Sequence, residues 1–181
     1  VGAVIRAKLL PDGGHYSPRN ARYDWLTINH FADMSGGGVG VTLSNADAYY
    51  MQLGNSTHTA LDATTPQLNI LAGGQVDGPN LGIPNQGGDT KFLQRFALQT
   101  HGAFNQTSAM KFSLEHQNPL VTHQVTGTDP SYNEKNYSFL TISDPDVLLW
   151  ALKPAEDGIS QGVIARDWNQ ATAARNYTSP L

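Results

Sequence analysis

Apolar residues recur at every second position in short runs, and each run stops within a few residues at Gly, Pro or Asp. That spacing places successive apolar side chains on one face of a pleated strand, whereas a helical core would repeat at about 3.6 residues. Val39, Val41 and Leu43, with small or polar residues between them, form the clearest case. They follow Gly36-Gly37-Gly38 directly, a flexible break that suits a turn. A second run sets Phe92, Gln94, Phe96 and Leu98 against Leu93, Arg95, Ala97 and Gln99, which predicts one long strand. Shorter candidates are Val4–Leu10, Tyr23–Phe31, Tyr49–Leu53, Gln67–Leu71, Met110–Leu114, Tyr137–Ile142, Val147–Leu152 and Val163–Asp167. The region 103–117, with Ala103, Ala109, Met110, Leu114 and Glu115, also allows a short helix.

Between the runs stand Pro-Asp-Gly-Gly at 11–14, Gly73-Gly74, Asp77-Gly78-Pro79, Gly87-Gly88, Asp129-Pro130 and Glu156-Asp157-Gly158. These residues tolerate positive φ or preset a turn, so the strands should connect by hairpins and loops. The expected fold is therefore all-β, an antiparallel β-sandwich with long loops and at most one short helix. At 181 residues the chain has room for one such domain, and residues 1–181 are expected to form a single β-sandwich domain or most of one.

Charge and composition exclude several function classes. Only 14% of residues are charged and the net charge is −4, with acids and bases interspersed, so no extended positive field exists to gather phosphates. Nucleic acid is not an expected partner. No run approaches the ~20 apolar residues of a membrane helix, so no membrane partner is expected, and Val1–Leu10 is interrupted by Arg6 and Lys8. The absence of cysteine removes disulfides, thiolate metal sites and a Cys nucleophile, but leaves the compartment open; a secreted or periplasmic place is slightly favoured. Sequons occur at Asn55, Asn105, Asn136 and Asn176, in a chain rich enough in Asn, Ser and Thr to produce some by chance.

The chain carries no Gly-x-Ser-x-Gly elbow, no phosphate loop and no His-x-x-x-His pair among His15, His30, His58, His101, His116 and His123. Each His reads as a surface or hydrogen-bonded residue. Asp144-Pro145-Asp146 offers two neighbouring carboxylates, the pair that glycoside hydrolysis needs, yet Pro145 makes a turn the simpler reading. Glu156-Asp157 before Gly158 reads as hairpin chemistry. Trp25, Tyr49, Tyr50, Trp150 and Trp168 could stack on sugar rings; core packing is the simpler expectation for Trp150 within an apolar run. Of Tyr49 and Tyr50, adjacent on a strand, one should be exposed.

The segment from Gly73 to Asp89 holds six Gly and two Pro in seventeen residues, and a loop that long inside a domain usually covers or binds something. Within it Asn80, Asn85, Gln86 and Asp89 could grip hydroxyl groups, while the glycines let a ligand approach closely.

Four segments resemble the glycoside hydrolase family 38 α-mannosidases. Val39-Gly40-Val41-Thr42-Leu43-Ser44-Asn45 is similar to that family's "yGvallN" strand, preceded by a Trp25–Asp33 run that looks like its "W-v-d-l-s-d" lead-in. Gln94–His101 resembles "f-r-y-a-L-y-p-H", and Glu115–Leu120 resembles "N-n-P-L". The most specific match is Val147–Gly158 followed by Val163–Arg166, similar to "v-v-l-s-A-l-K-p-A-E-d-G … v-i-l-R". The order is the family's own, and the matches span most of 25–168.

The resemblance implies the C-terminal β-sandwich part, of the supersandwich or galactose-mutarotase-like kind, of a retaining exo-α-mannosidase acting on mannose-containing glycans. In that family a zinc ion and the catalytic Asp belong to an N-terminal α/β barrel, followed by a helical segment. This chain has no counterpart of either, so no catalytic or metal-ligating residue is assigned here, and zinc is expected only in the absent barrel. The rest of the same polypeptide would be its partner. Where many relatives carry an Asp-Arg-Gly type sequence near the active site, this chain has Asn85-Gln86-Gly87-Gly88-Asp89. Asn85, Gln86 and Asp89 are therefore the candidate substrate-binding residues. A stand-alone carbohydrate-binding β-sandwich using Tyr49, Tyr50 or the glycine-rich loop is the alternative.

Overall fold

Gly37 and Gly38 adopt φ of 62° and 83°, the left-handed conformation that a two-residue hairpin turn demands and that glycine enters without steric cost. They join β2 (Phe31–Gly36) to β3 (Val39–Asn45), which pair antiparallel from Gly36 opposite Val39 to Phe31 opposite Ser44. The computed structural model describes residues 4–19, 22–71, 91, 93–124 and 138–180. The chain divides into two units, Ala3–Asn118 and Pro119–Leu181.

In the first unit β6 (Phe96–His101) adds to the free edge of β3, giving an antiparallel sheet of order β2-β3-β6. A second antiparallel sheet consists of β1 (Leu26–Thr27), β4 (Tyr50–Leu53) and β5 (Leu68–Leu71), in the order β1-β4-β5. Leu26, Ile28, Ala32 and Met51 form the buried core, with Leu43, Leu53, Leu68 and Ile70 packed around them. These residues come from both sheets, so the core is the interior of a sandwich. Full burial of a side chain such as Leu26 contributes about 1.5–3 kcal/mol.

The opposite face of the β2-β3-β6 sheet is covered by α1 (Gln106–Gln117), which packs mainly on β3. Asn105 starts this helix: its extended backbone lies outside the helix and its side chain accepts the Ser108 N–H at 2.8 Å. The Asn118 side chain returns to the Leu114 carbonyl at 2.8 Å and closes the other end. Ala109, Met110 and Ser113 are the buried helix residues, a spacing that puts all three on the sheet side.

The second unit is built on a hairpin of β7 (Val147–Pro154) and β8 (Val163–Asn169). The register shifts between Leu149 and Ala151, which leaves Trp150 in a β-bulge. Residues 155–162 make the connection, with Gly158 at φ 102° and Gly162 at φ 108°. No described helix is long and apolar enough to cross a membrane.

The fold class is as the alternation predicts, antiparallel sheets with one short helix, and several local expectations are corrected. Val4–Leu10 is not a strand; it carries a 3-10 turn at Leu10–Asp12 and a single bridge from Leu9 to Tyr16. The expected long strand through Leu93, Gln94 and Arg95 begins only at Phe96. Met110–Leu114 lies in α1, so the helical option for that region holds. Within Tyr23–Phe31 only Leu26–Thr27 and Phe31 are strand, and β2 runs on to Gly36. Residues 138–142 form no strand.

Candidate functional site

Register decides which polar side chains meet. Asp33 on β2 lies opposite Thr42 on β3, which lies opposite Gln99 on β6. His101 on β6 is opposite Gly40. With period two, Asp33, Ser35, Gly40, Thr42 and His101 therefore share the face that α1 also covers. Asp33 is the hub: one carboxylate oxygen accepts from Thr42 Oγ1 at 2.6 Å and from His101 Nε2 at 2.7 Å, and the other accepts from Ser35 Oγ. The His101 and Asp33 side chains retain 19% and 11% of their exposure, so the pair is largely but not wholly withdrawn from water. The hydrogen bond to Asp33 raises the His101 pKa, helped by the Gly102 carbonyl and opposed by desolvation.

Gly40 makes this arrangement possible. A Cβ there would lie 2.5 Å from Ser35 Oγ and 2.9 Å from His101 Nε2, and closer still to His101 Cε1. The imidazole thus crosses β3 through a notch that only glycine leaves open. Phe104 flanks the ring at 6.2 Å and also meets Phe31 at 6.3 Å, between centroids.

Further along the face, Ser44 Oγ lies 2.8 Å from His116 Nδ1, and His30 Nδ1 lies 2.8 Å from Gln117 Oε1. Ser113 Oγ donates to the His30 carbonyl at 3.1 Å, and Gln117 Nε2 to the Asn29 carbonyl at 3.2 Å. Ser44 has no exposed surface, so its hydroxyl cannot meet a substrate and the Ser44–His116 contact works as a helix-to-sheet clamp. At the start of β6, Arg95 grips Asp47 with two charge-assisted bonds, at 2.9 and 2.8 Å, and donates its backbone N–H to the same carboxylate. These bonds hold Asp47 down at a pKa of about 2.

The residues expected to bind substrate, Asn85, Gln86 and Asp89, lie outside the described residues, as does Asn80. Asp144 and Asp146 occupy a turn, as expected: the Asp146 N–H bonds Asp144 Oδ1 at 2.8 Å, and Arg175 approaches both carboxylates. Glu156 pairs with Lys153 in the hairpin connection. Tyr49 is 74% exposed while Tyr50 is half-buried beside Trp25, as strand alternation predicts. Core packing of Trp150 is not found: the bulge turns the side chain outward, leaving it 40% exposed, with Trp168 edge-on at 5.0 Å. Among the described residues no group of three or more His, Cys, Asp or Glu could hold a metal ion.

The Asp33–His101 pair did not stand out in the sequence because its members are 68 positions apart. The usable signal was parity: each sits at a polar position of a run whose alternate residues are apolar or small. No protein-family model matches the chain, and neither a curated protein nor a solved structure matches it.

Proposed function

We propose that this chain is a C-terminal β-sandwich segment of a family 38 type α-mannosidase, a scaffold for the hydrolysis of terminal α-mannosyl linkages carried out by a zinc-bearing barrel outside it. One observation carries the reading. The face of the β2-β3-β6 sheet that bears Ala32 and Leu43 in the core continues into Val39 and Leu98, each 68% exposed, and Val41, 39% exposed. An apolar sheet face left half uncovered is the mark of a surface that packs on further protein. The resembling segments agree with this use: 39–45 and 96–101 become the paired strands β3 and β6, and 147–154 and 163–169 become the β7–β8 hairpin.

The role is structural and site-rimming. The polar groups around Asp33, Ser44 and Asp47 hold strands and helix together, and no residue of this chain is assigned to zinc or to bond cleavage. The deciding experiment extends the reading frame upstream and assays the longer zinc-loaded chain on an aryl α-mannoside. Activity of the longer chain, with none from residues 1–181 alone, is expected. A longer frame that encodes no barrel, or that is inactive, overturns the proposal. The exposed rings of Tyr49 and Trp150 keep one alternative, a stand-alone carbohydrate-binding module, which glycan binding by the 181-residue chain would favour.

A further inference from the structure

We propose that Asp33 and His101 form a pH-operated clasp: with the imidazole charged it joins β2, across the notch at Gly40, to both β6 and the β6–α1 connection, and when the imidazole loses a proton it keeps Asp33 but lets go of the connection at Gly102. The inference stands apart from the enzyme assignment and rests on local geometry. Nε2 faces an Asp33 carboxylate oxygen at 2.7 Å and Nδ1 faces the Gly102 carbonyl at 3.0 Å. Both oxygens can only accept, so both ring nitrogens must donate, which the imidazolium does and neutral histidine cannot. Loss of one proton to solvent leaves a nitrogen lone pair against an oxygen on one side of the ring. The proton that stays faces Asp33, so the bond surrendered is the one to Gly102.

Among the described residues no other charge competes for control of the ring. Asp33 is the one ionisable group facing it from β2, and β3 presents Gly40 and Thr42, which do not titrate in this range. On α1, Lys111 and Glu115 pair with each other at the surface and His116 is bonded to Ser44. Among the described residues, the charge that acts on His101 is that of Asp33. The sign follows: the folded His101 binds its proton more tightly than an ordinary His at about 6.5, so the clasp is complete below that pH and is lost as pH rises through the higher folded value. What loosens is the stretch from Gly102 to Asn105, because it carries Phe104, which packs on the ring, and Asn105, which caps α1.

The test uses the whole chain. A proton NMR titration of the His101 ring in the wild type is expected to show a midpoint above 6.5. Amide hydrogen exchange at Ser108 and Ala109, whose N–H groups are held by the side chain and carbonyl of Asn105, corrected for intrinsic rates, is expected to lose protection across that same midpoint. His101→Gln, which keeps a donor but cannot titrate, should show no such step, and Asp33→Asn should bring the His101 midpoint down. A wild-type midpoint at or below 6.5 overturns the clasp, and so does an equal loss of protection in His101→Gln.

Discussion

Replacing Gly40 by Ala adds a single methyl group at the most crowded point of the β2-β3-β6 sheet. The backbone there is ordinary extended strand, so the cost is contact and not φ. The new Cβ would stand 2.5 Å from Ser35 Oγ and 2.9 Å from His101 Nε2, where relaxed heavy-atom contacts need about 3.5 Å or more. Something must move by roughly an ångström. The imidazole is the movable partner, but it is tied to Asp33 and to the Gly102 carbonyl, so moving it breaks both bonds. Overpacking of this kind costs about 1–3 kcal/mol. At about 2–4 °C per kcal/mol for a chain of this size, Tm should fall by about 2–12 °C at pH 6. The assay is thermal unfolding followed by circular dichroism on the wild type, Gly40→Ala, His101→Ala and the double variant. With the imidazole gone two of the three closest contacts of the added methyl disappear and Ser35 Oγ remains, so Gly40→Ala should cost less than half as much in the His101→Ala background. An equal cost in both backgrounds, or a single-variant loss below about 0.5 kcal/mol, would refute the notch.

Four further outcomes follow from other parts of the structure. Asn105→Ala should lower stability by about 1 kcal/mol, as loss of a helix N-cap does, while Asn105→Asp keeps the acceptor and should lose little; urea titration of the helical signal at 222 nm separates them. Trp150→Ala should cost well under the about 3–5 kcal/mol typical of a core Trp, because the ring is 40% exposed at a bulge; a denaturation midpoint as low as that of a core truncation would contradict the outward setting. Val39→Lys and Leu98→Lys should change the stability of this chain by no more than about 0.5 kcal/mol each; the proposed scaffold role further predicts that they destabilise the longer polypeptide by exposing a packed face. The difference in stability between wild type and Asp47→Asn should be flat from neutral pH down to about pH 4. It should then shrink towards pH 2, because the folded carboxylate, held near 2 by Arg95, contributes above its ordinary 3.8 and is protonated below; a difference that persists in full at pH 2 would remove the Arg95 contact as its source.

How much of this was legible beforehand depends on the range of the physics. The alternation of Val39, Val41 and Leu43 and the glycines before them were enough to place β3 and its turn, because pleat parity and positive φ are properties of a few adjacent residues. The turns at Asp144 and Gly158 and the exposed one of Tyr49 and Tyr50 were readable for the same reason. Region 103–117 carried both a strand and a helix pattern, and the choice fell to Asn105 capping the first turn and to Ser113, His116 and Gln117 finding partners on the sheet.

The chain's own order of residues determined an all-β class, most strand positions and the hairpin turns, since those follow from local alternation and backbone freedom. Only tertiary structure decided that Asp33 meets His101, that Gly40 must stay bare, and that Trp150 turns outward at a slipped register. Pairing register brings together residues dozens of positions apart, and a shift of one residue would send each of those side chains to the other face of its sheet.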